Sequence, residues 1–369
     1  LAENYSVDGF FFDCMSSKLT CICPYCIREM KEKRIDFNDL VALEDFTRFS
    51  VLRLAKELHD LIKSILPDAF YFLNGSLVDE MLSYNSHFES ESLPTALGYD
   101  FLPVQAHYLR NIADGKPVLN MTGRFYEWGD FGGLRKEAGL EFDLFYGLAN
   151  GMRPNVGGHF HPRGDIDQPV FDLIKKVYNK MQKYDYWCNN AVNLPQIAII
   201  FPKDGYSLRT SESLKAATRM LSELKLQFDV LTKSACWDNY DLLICPDDIR
   251  VSENTAKRIA EHLEKGGYLI ASGESGLDLN GEKFVLDEWP VEYLVVAAYK
   301  PVYFSPEGKF AENLPPMPLS VYADAILTRA KKTAKIEMEI IKPYFNQEWD
   351  GLHNHFYCPP QEKTGEAFL

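Results

Sequence analysis

The sequence predicts an α/β protein in two parts: the C-terminal part of a (β/α)8 TIM barrel, then a flavodoxin-like, class I glutamine amidotransferase-like α/β domain. Three observations predict it. Over the first 190 residues short apolar runs alternate with amphipathic segments, the pattern of parallel strands joined by helices. Polar or charged residues sit at the ends of those runs, where a barrel gathers its functional groups. After Trp187 a second β-α-β-β-α-β series begins, and no G-x-G-x-x-G follows its first strand, so dinucleotide binding lacks its fingerprint.

Residues 7–13 (VDGFFFD) form a near-continuous apolar run, which reads as a parallel strand buried on both faces. Val51, Leu54, Ala55, Leu58, Leu61, Ile62 and Ile65 keep helical spacing, and Pro67 stops that helix. Further strands are expected at 70–74, 84–89, 117–121 and 152–156, with helices over 99–112 and 134–150. Five strands fall short of the eight of a barrel, so about three βα units are expected upstream; a five-stranded open sheet is the alternative. The chain opens without Met on LAENYSVDGFFFD and stops at KTGEAFL, and both ends read as cut. The expected division is 1–192 for the barrel part and 193–369 for the second domain. In the latter, strands are expected at 197–201, 228–231, 241–245 and 268–272, with a helix over 211–225 and another capped by Ser252 and ended by Gly266-Gly267. Residues 290–369, rich in Pro, Tyr and Trp, are expected to be irregular with some helix around 318–331.

Composition narrows the function. With 369 residues, 46% hydrophobic, a sizeable core is available. A formal charge of −14 repels phosphate backbones and anionic membranes, which argues against nucleic acid and membrane partners. No run approaches the ~18 apolar residues of a membrane span. Aromatic residues make up 13% of the chain, which suits a neutral carbohydrate ligand and equally an ordinary core. Four of eight cysteines crowd into the first 26 residues, a local metal site or a reducing compartment rather than a disulfide framework, and a cytoplasmic location is expected.

Cys21-Ile-Cys23-Pro-Tyr-Cys26 is the sharpest motif. Its spacing lets three thiolates converge on a tetrahedral Zn²⁺, with Cys14 or an upstream residue as fourth ligand. Such a closed site would be structural, and unligated thiols are the alternative. Asp13 ends an apolar strand and faces the barrel mouth, or else caps the next turn. Asn74 lies at the next strand end. His87, Glu89 and Glu91 alternate, so they share one strand face; two adjacent carboxyls repel, raising one pKa as a general acid requires. Paired carboxyls are the minimum equipment of glycoside hydrolysis. Arg124, Glu127 and Trp128, in MTGRFYEWGDFGG, combine a hydroxyl-binding set with an aromatic face, and His159 of GGHFHP follows the last strand. The segment Ala271-Ser-Gly273-Glu274-Ser-Gly276 stands where an amidotransferase would place its nucleophile elbow, and it has no Cys. A scaffolding or oligomerising role is left for the second domain.

Taken together, VDGFFFDC, CICPYC, SHFESESLP, MTGRFYEWGDFGG, GLANGMRPNVGGHFHPRG and PYFNQEWDGLHNHFYCPP resemble bacterial glycoside hydrolases that join a barrel to a β-galactosidase-type trimerisation domain. The nearer family is glycoside hydrolase family 151, the α-L-fucosidases, and the more distant is family 42, the β-galactosidases. The resemblance implies a retaining exo-glycosidase with Asp13 as nucleophile and Glu89 or Glu91 as acid/base. It further implies a pocket shaped by Arg124, Glu127, Trp128 and His159, a structural zinc at Cys21, Cys23 and Cys26, and a homotrimer. Family 42 carries Asn-Glu where this chain has Phe12-Asp13, which favours the fucosidase side and leaves Asp13 open between nucleophile and acid/base. A β-galactosidase-like enzyme and a non-catalytic oligomerising or sugar-binding piece are the rival readings.

Overall fold

The computed structural model describes residues 1–15, 20–75, 83–189, 191–201, 211–232, 235–353 and 355–369. Two compact units form: Leu1–Pro195 with Lys203–Thr232, and Gln196–Pro202 with Lys233–Leu369.

In the first unit five short parallel strands follow one another. β1 (Gly9–Phe12) pairs with β2 (Phe70–Leu73), Phe12 opposite Leu73. β3 (Phe88–Glu91) pairs with β4 (Val118–Gly123), and β4 with β5 (Arg153–Gly157). The segment before β3 bridges the two groups: the Ser86 amide donates to the Tyr71 carbonyl (2.8 Å) and the Tyr71 amide to the Ser86 hydroxyl (2.9 Å). The predicted strand at 84–89 therefore begins later and ends later, because Asn85 and Ser86 use side chains where a ladder would use backbone.

β1 is not buried on both faces. Phe10 and Phe12 pack on Tyr71, Leu73, Ala55 and Ile62, whereas Phe11 is 53% exposed. A strand with one neighbour and one covering helix can bury only alternate side chains. That helix, Leu40–Ile65, starts at Asp39, whose carboxylate accepts from the Val41 and Ala42 amides at 3.0 and 3.1 Å.

Helix Glu137–Ala149 covers β4 and β5, burying Leu140, Leu144 and Leu148 against Val177 and Met181. Gly147 permits the approach: a Cβ there would lie 2.8 Å from Asn120 Nδ2 of β4. Arg135 and Asp143, both essentially buried, pair at 2.6 Å; Asp143 also accepts from the Thr122 hydroxyl (2.8 Å), and Arg135 donates to the Gly139 carbonyl (2.8 Å). This network ties the end of β4 to its covering helix. A second one docks helix Glu212–Glu223 and β7 (Phe228–Thr232) on the same unit: Arg110 Nε donates to Asp229 (3.0 Å), and His107 stacks on Phe228 with centroids 3.8 Å apart.

In the second unit β6 (Ile197–Phe201), β8 (Leu242–Cys245) and β9 (Tyr268–Ala271) run parallel. Ser252 caps helix Glu253–Glu264, accepting from the Thr255 amide at 3.2 Å. Residues 290–369 depart from expectation. Where helix was predicted around 318–331 there are two strands, β12 (Leu319–Val321) and β13 (Ile326–Ala330). β13 pairs antiparallel with β10 (Val291–Val296) across a bulge. β12, β11 (Val302–Phe304), β14 (Glu339–Pro343) and β15 (Pro360–Ala367) form an antiparallel sheet. Local spacing reads as helix, but cross-strand partners outside the segment decide the outcome. Among the described residues no helix is long and apolar enough to cross a membrane.

Candidate active site

The C-terminal ends of β1 to β5 carry the predicted residues. Asp13 follows β1 directly. Its Oδ1 accepts from the Asn74 amide side chain just past β2 (2.8 Å) and from the Cys14 backbone (2.8 Å). Cys14 holds φ at 57°, a left-handed value unusual for a side-chain-bearing residue, so the chain turns away at once and Asp13 stands exposed at the strand end. His87, half-buried, stacks on Phe72 of β2 with centroids 4.6 Å apart, and burial lowers its pKa, so its ring is neutral at pH 7.

Alternation in β3 puts Phe88 and Ser90 inside and Glu89 and Glu91 together on the other face. The two carboxyls differ. Glu89 Oε1 is buried with no hydrogen-bond partner among the described residues, and burial, assisted by the Glu91 charge, raises its pKa to about 7. Glu91 Oε1, in contrast, accepts a short bond from the Trp128 indole N–H. Glu89 is thus poised to hold a proton near neutrality, while the indole N–H fixes the orientation of Glu91.

The loop after β4 supplies Arg124, Glu127 and Trp128. Arg124 is 3% exposed and donates to the carbonyls of Gly133 (2.7 Å) and Phe131 (2.5 Å). Its guanidinium therefore shapes the loop from beneath. Glu127 Oε1 accepts from the Trp128 amide (2.8 Å). Trp128, Phe125 and Phe131 surround His159, with centroids 5.6, 5.0 and 5.9 Å from its ring. An aromatic wall of this kind presents C–H and π surfaces to a flat apolar ligand face. Reading the sequence missed Phe125 and Phe131 as part of it, because aromatic residues in loops carry no spacing signal.

Away from this row, Cys21, Cys23 and Cys26 bring their sulfurs within 4.8 Å of one another. Cys14 is not in that group. The Cys26 backbone amide and the Cys21 thiol lower the Cys23 pKa to about 7, while the Cys21 side chain and burial push Cys26 up to about 12. Three converging thiols, one easily ionised, are a donor set that fits zinc. In the second unit the Gly273–Gly276 turn carries no Cys; Glu274 pairs with Arg250 at 2.5 Å.

Comparison with known proteins gives this geometry a context. Residues 202–296 match the family described as a β-galactosidase trimerisation domain, of the glycoside hydrolase family 42 type. An α-L-fucosidase, isoenzyme 2 of Paenibacillus thiaminolyticus, superposes with a TM-score of 0.88 at 29% identity, covering 99% of this chain and 56% of its own. A β-galactosidase from Rahnella sp. R3 superposes with a TM-score of 0.65 at 15% identity, covering 80% of this chain and 51% of its own, a likeness of fold. β-Galactosidase LacZ of Lactobacillus acidophilus is 20% identical over 290 residues, 67% of this chain and 43% of that protein. The chain thus spans about half the length of these relatives. It is similar along nearly its whole length to an α-L-fucosidase, with β-galactosidases as further relatives, and it carries a stretch of β-galactosidase trimerisation domain.

Proposed function

We propose that this chain is the greater part of a retaining exo-glycosidase that releases terminal α-L-fucose. Its first unit would be the C-terminal part of a (β/α) barrel, completed by strands outside the chain. The observation that carries the reading is the unequal carboxyl pair on β3, Glu89 buried with its pKa raised to about 7 and Glu91 bonded to the Trp128 indole, at the same strand ends as Asp13. Asp13 would attack the anomeric carbon, and its two hydrogen-bond donors, Asn74 and Cys14, would keep it oriented. Glu89 would protonate the leaving oxygen and then, as carboxylate, activate the water that releases the sugar. Retention asks for about 5–5.5 Å between nucleophile and acid/base carboxyls. Trp128 and His159 would stack on the sugar, with His87, held neutral, bonding hydroxyls.

Zinc held by Cys21, Cys23 and Cys26 would clamp the loop after β1, the strand that ends in Asp13, and take no part in bond cleavage. The second unit would assemble the protein, as a trimer by analogy with the matched domain's description. Hydrolysis of nitrophenyl α-L-fucoside against nitrophenyl β-galactoside by the complete protein tests the reading. A preference for the galactoside would favour the β-galactosidase-like alternative, which the Lactobacillus and Rahnella relatives support, and no turnover of either would favour a binding role.

A further inference from the structure

The indole of Trp128 is fixed on several sides. Phe125 meets it edge-on with centroids 4.9 Å apart, and its own amide is anchored on Glu127. Gly157, the last residue of β5, lies directly against the ring: a Cβ there would be 2.7 Å from Trp128 Cη2. A rigid indole cannot yield to that contact, so the position needs glycine for the ring to sit where it does. So placed, the ring gives its single N–H to Glu91 and keeps 38% of its surface open. Glu89, two residues earlier on the same face, has an oxygen with no partner among the described residues.

We propose that Trp128 is a positioning residue that fixes the orientation of the Glu91 carboxyl beside Glu89, with Gly157 making room for the indole; this rests on the glycosidase reading above. The indole offers a single N–H in a fixed direction, so it holds the carboxyl that accepts it in one orientation. Other charged groups on this side do not replace it. Arg124 is spent on the Phe131 and Gly133 carbonyls, Glu127 accepts from the Trp128 amide, and Arg163 pairs with Asp165. His159 touches Trp128 by its ring, and His161 meets Phe131 and Arg163.

Two readouts test this on the complete protein. In protein labelled with ¹⁵N-tryptophan, the Trp128 indole N–H, identified by its loss in Trp128→Phe, should shift on acidification and in Glu91→Gln. It should change little in Glu89→Gln. An indole signal indifferent to Glu91→Gln overturns the proposal whatever the enzyme's activity, so failure here is separate from failure of the glycosidase reading. Among active preparations, Trp128→Phe keeps the aromatic face and loses only the N–H. It should leave KM nearly unchanged and lower kcat about 10-fold. Gly157→Ala, which displaces the ring, should lower kcat in the same way. Trp128→Phe with unchanged kcat would refute a positioning role.

Discussion

Replacing Glu89 by glutamine makes the clearest energetic test, because the same feature that suits the residue to proton transfer makes it a burden at high pH. Its pKa rises from 4.5 to about 7 in the folded protein, chiefly through burial. A group whose folded pKa is raised contributes stability below its unfolded pKa, and that contribution is lost as pH climbs through the folded value. The window is therefore pH 4.5 to 7. At 1.36 kcal/mol per unit, the shift corresponds to about 3.4 kcal/mol, and screening at a partly accessible site reduces the expectation to about 2 kcal/mol. A glutamine side chain has the same shape as the glutamate and never ionises. Urea unfolding at pH 5 and pH 8 should give wild type and Glu89→Gln nearly equal stability at the lower pH. At the higher pH the variant should be more stable by about 2 kcal/mol. A stability difference that does not change between the two pH values would refute the claim that Glu89 is held protonated by burial, and with it the assignment of the acid.

Three further predictions concern other parts of the chain. Metal analysis of protein purified without added zinc should find about one zinc per chain, dropping to none in a Cys21→Ser, Cys23→Ser double variant. Asp143→Ala leaves Arg135 as a buried charge without its partner, so it should destabilise the first unit by about 3–5 kcal/mol in denaturant unfolding; an effect below about 1 kcal/mol would mean the pair is solvated in solution. Light scattering of the complete protein should give an oligomer, with a monomer at micromolar concentration counting against assembly through the second unit.

Much of the fold was legible because parallel strands and amphipathic helices write themselves in local periodicity. Strand 197–201 and the Ser252 cap were placed to the residue. Asp13 and the Glu89/Glu91 face followed from strand ends and alternation. What local pattern does not encode is partnership. The strands at 319–321 and 326–330 read as helix because the partners that hold them extended lie elsewhere in the chain. Arg124 read as a sugar ligand because its sequence neighbours are glycines and aromatics, but the loop folds back and its own carbonyls take the guanidinium. Arg135 gave no signal at all, since nothing in a sequence marks which charged residue is buried.

The central claim is that Asp13 and the β3 carboxyls perform one double-displacement reaction. Trapping tests it directly: incubate the complete protein with an activated 2-deoxy-2-fluoro fucoside, which slows release of a covalent sugar, then digest it and weigh the peptides. The prediction is one deoxyfluorofucosyl adduct on the peptide containing Asp13, accumulating in wild type and absent in Asp13→Asn. An adduct on Glu89, Glu91 or any other residue, or turnover of the ordinary fucoside with no adduct at all, would contradict it.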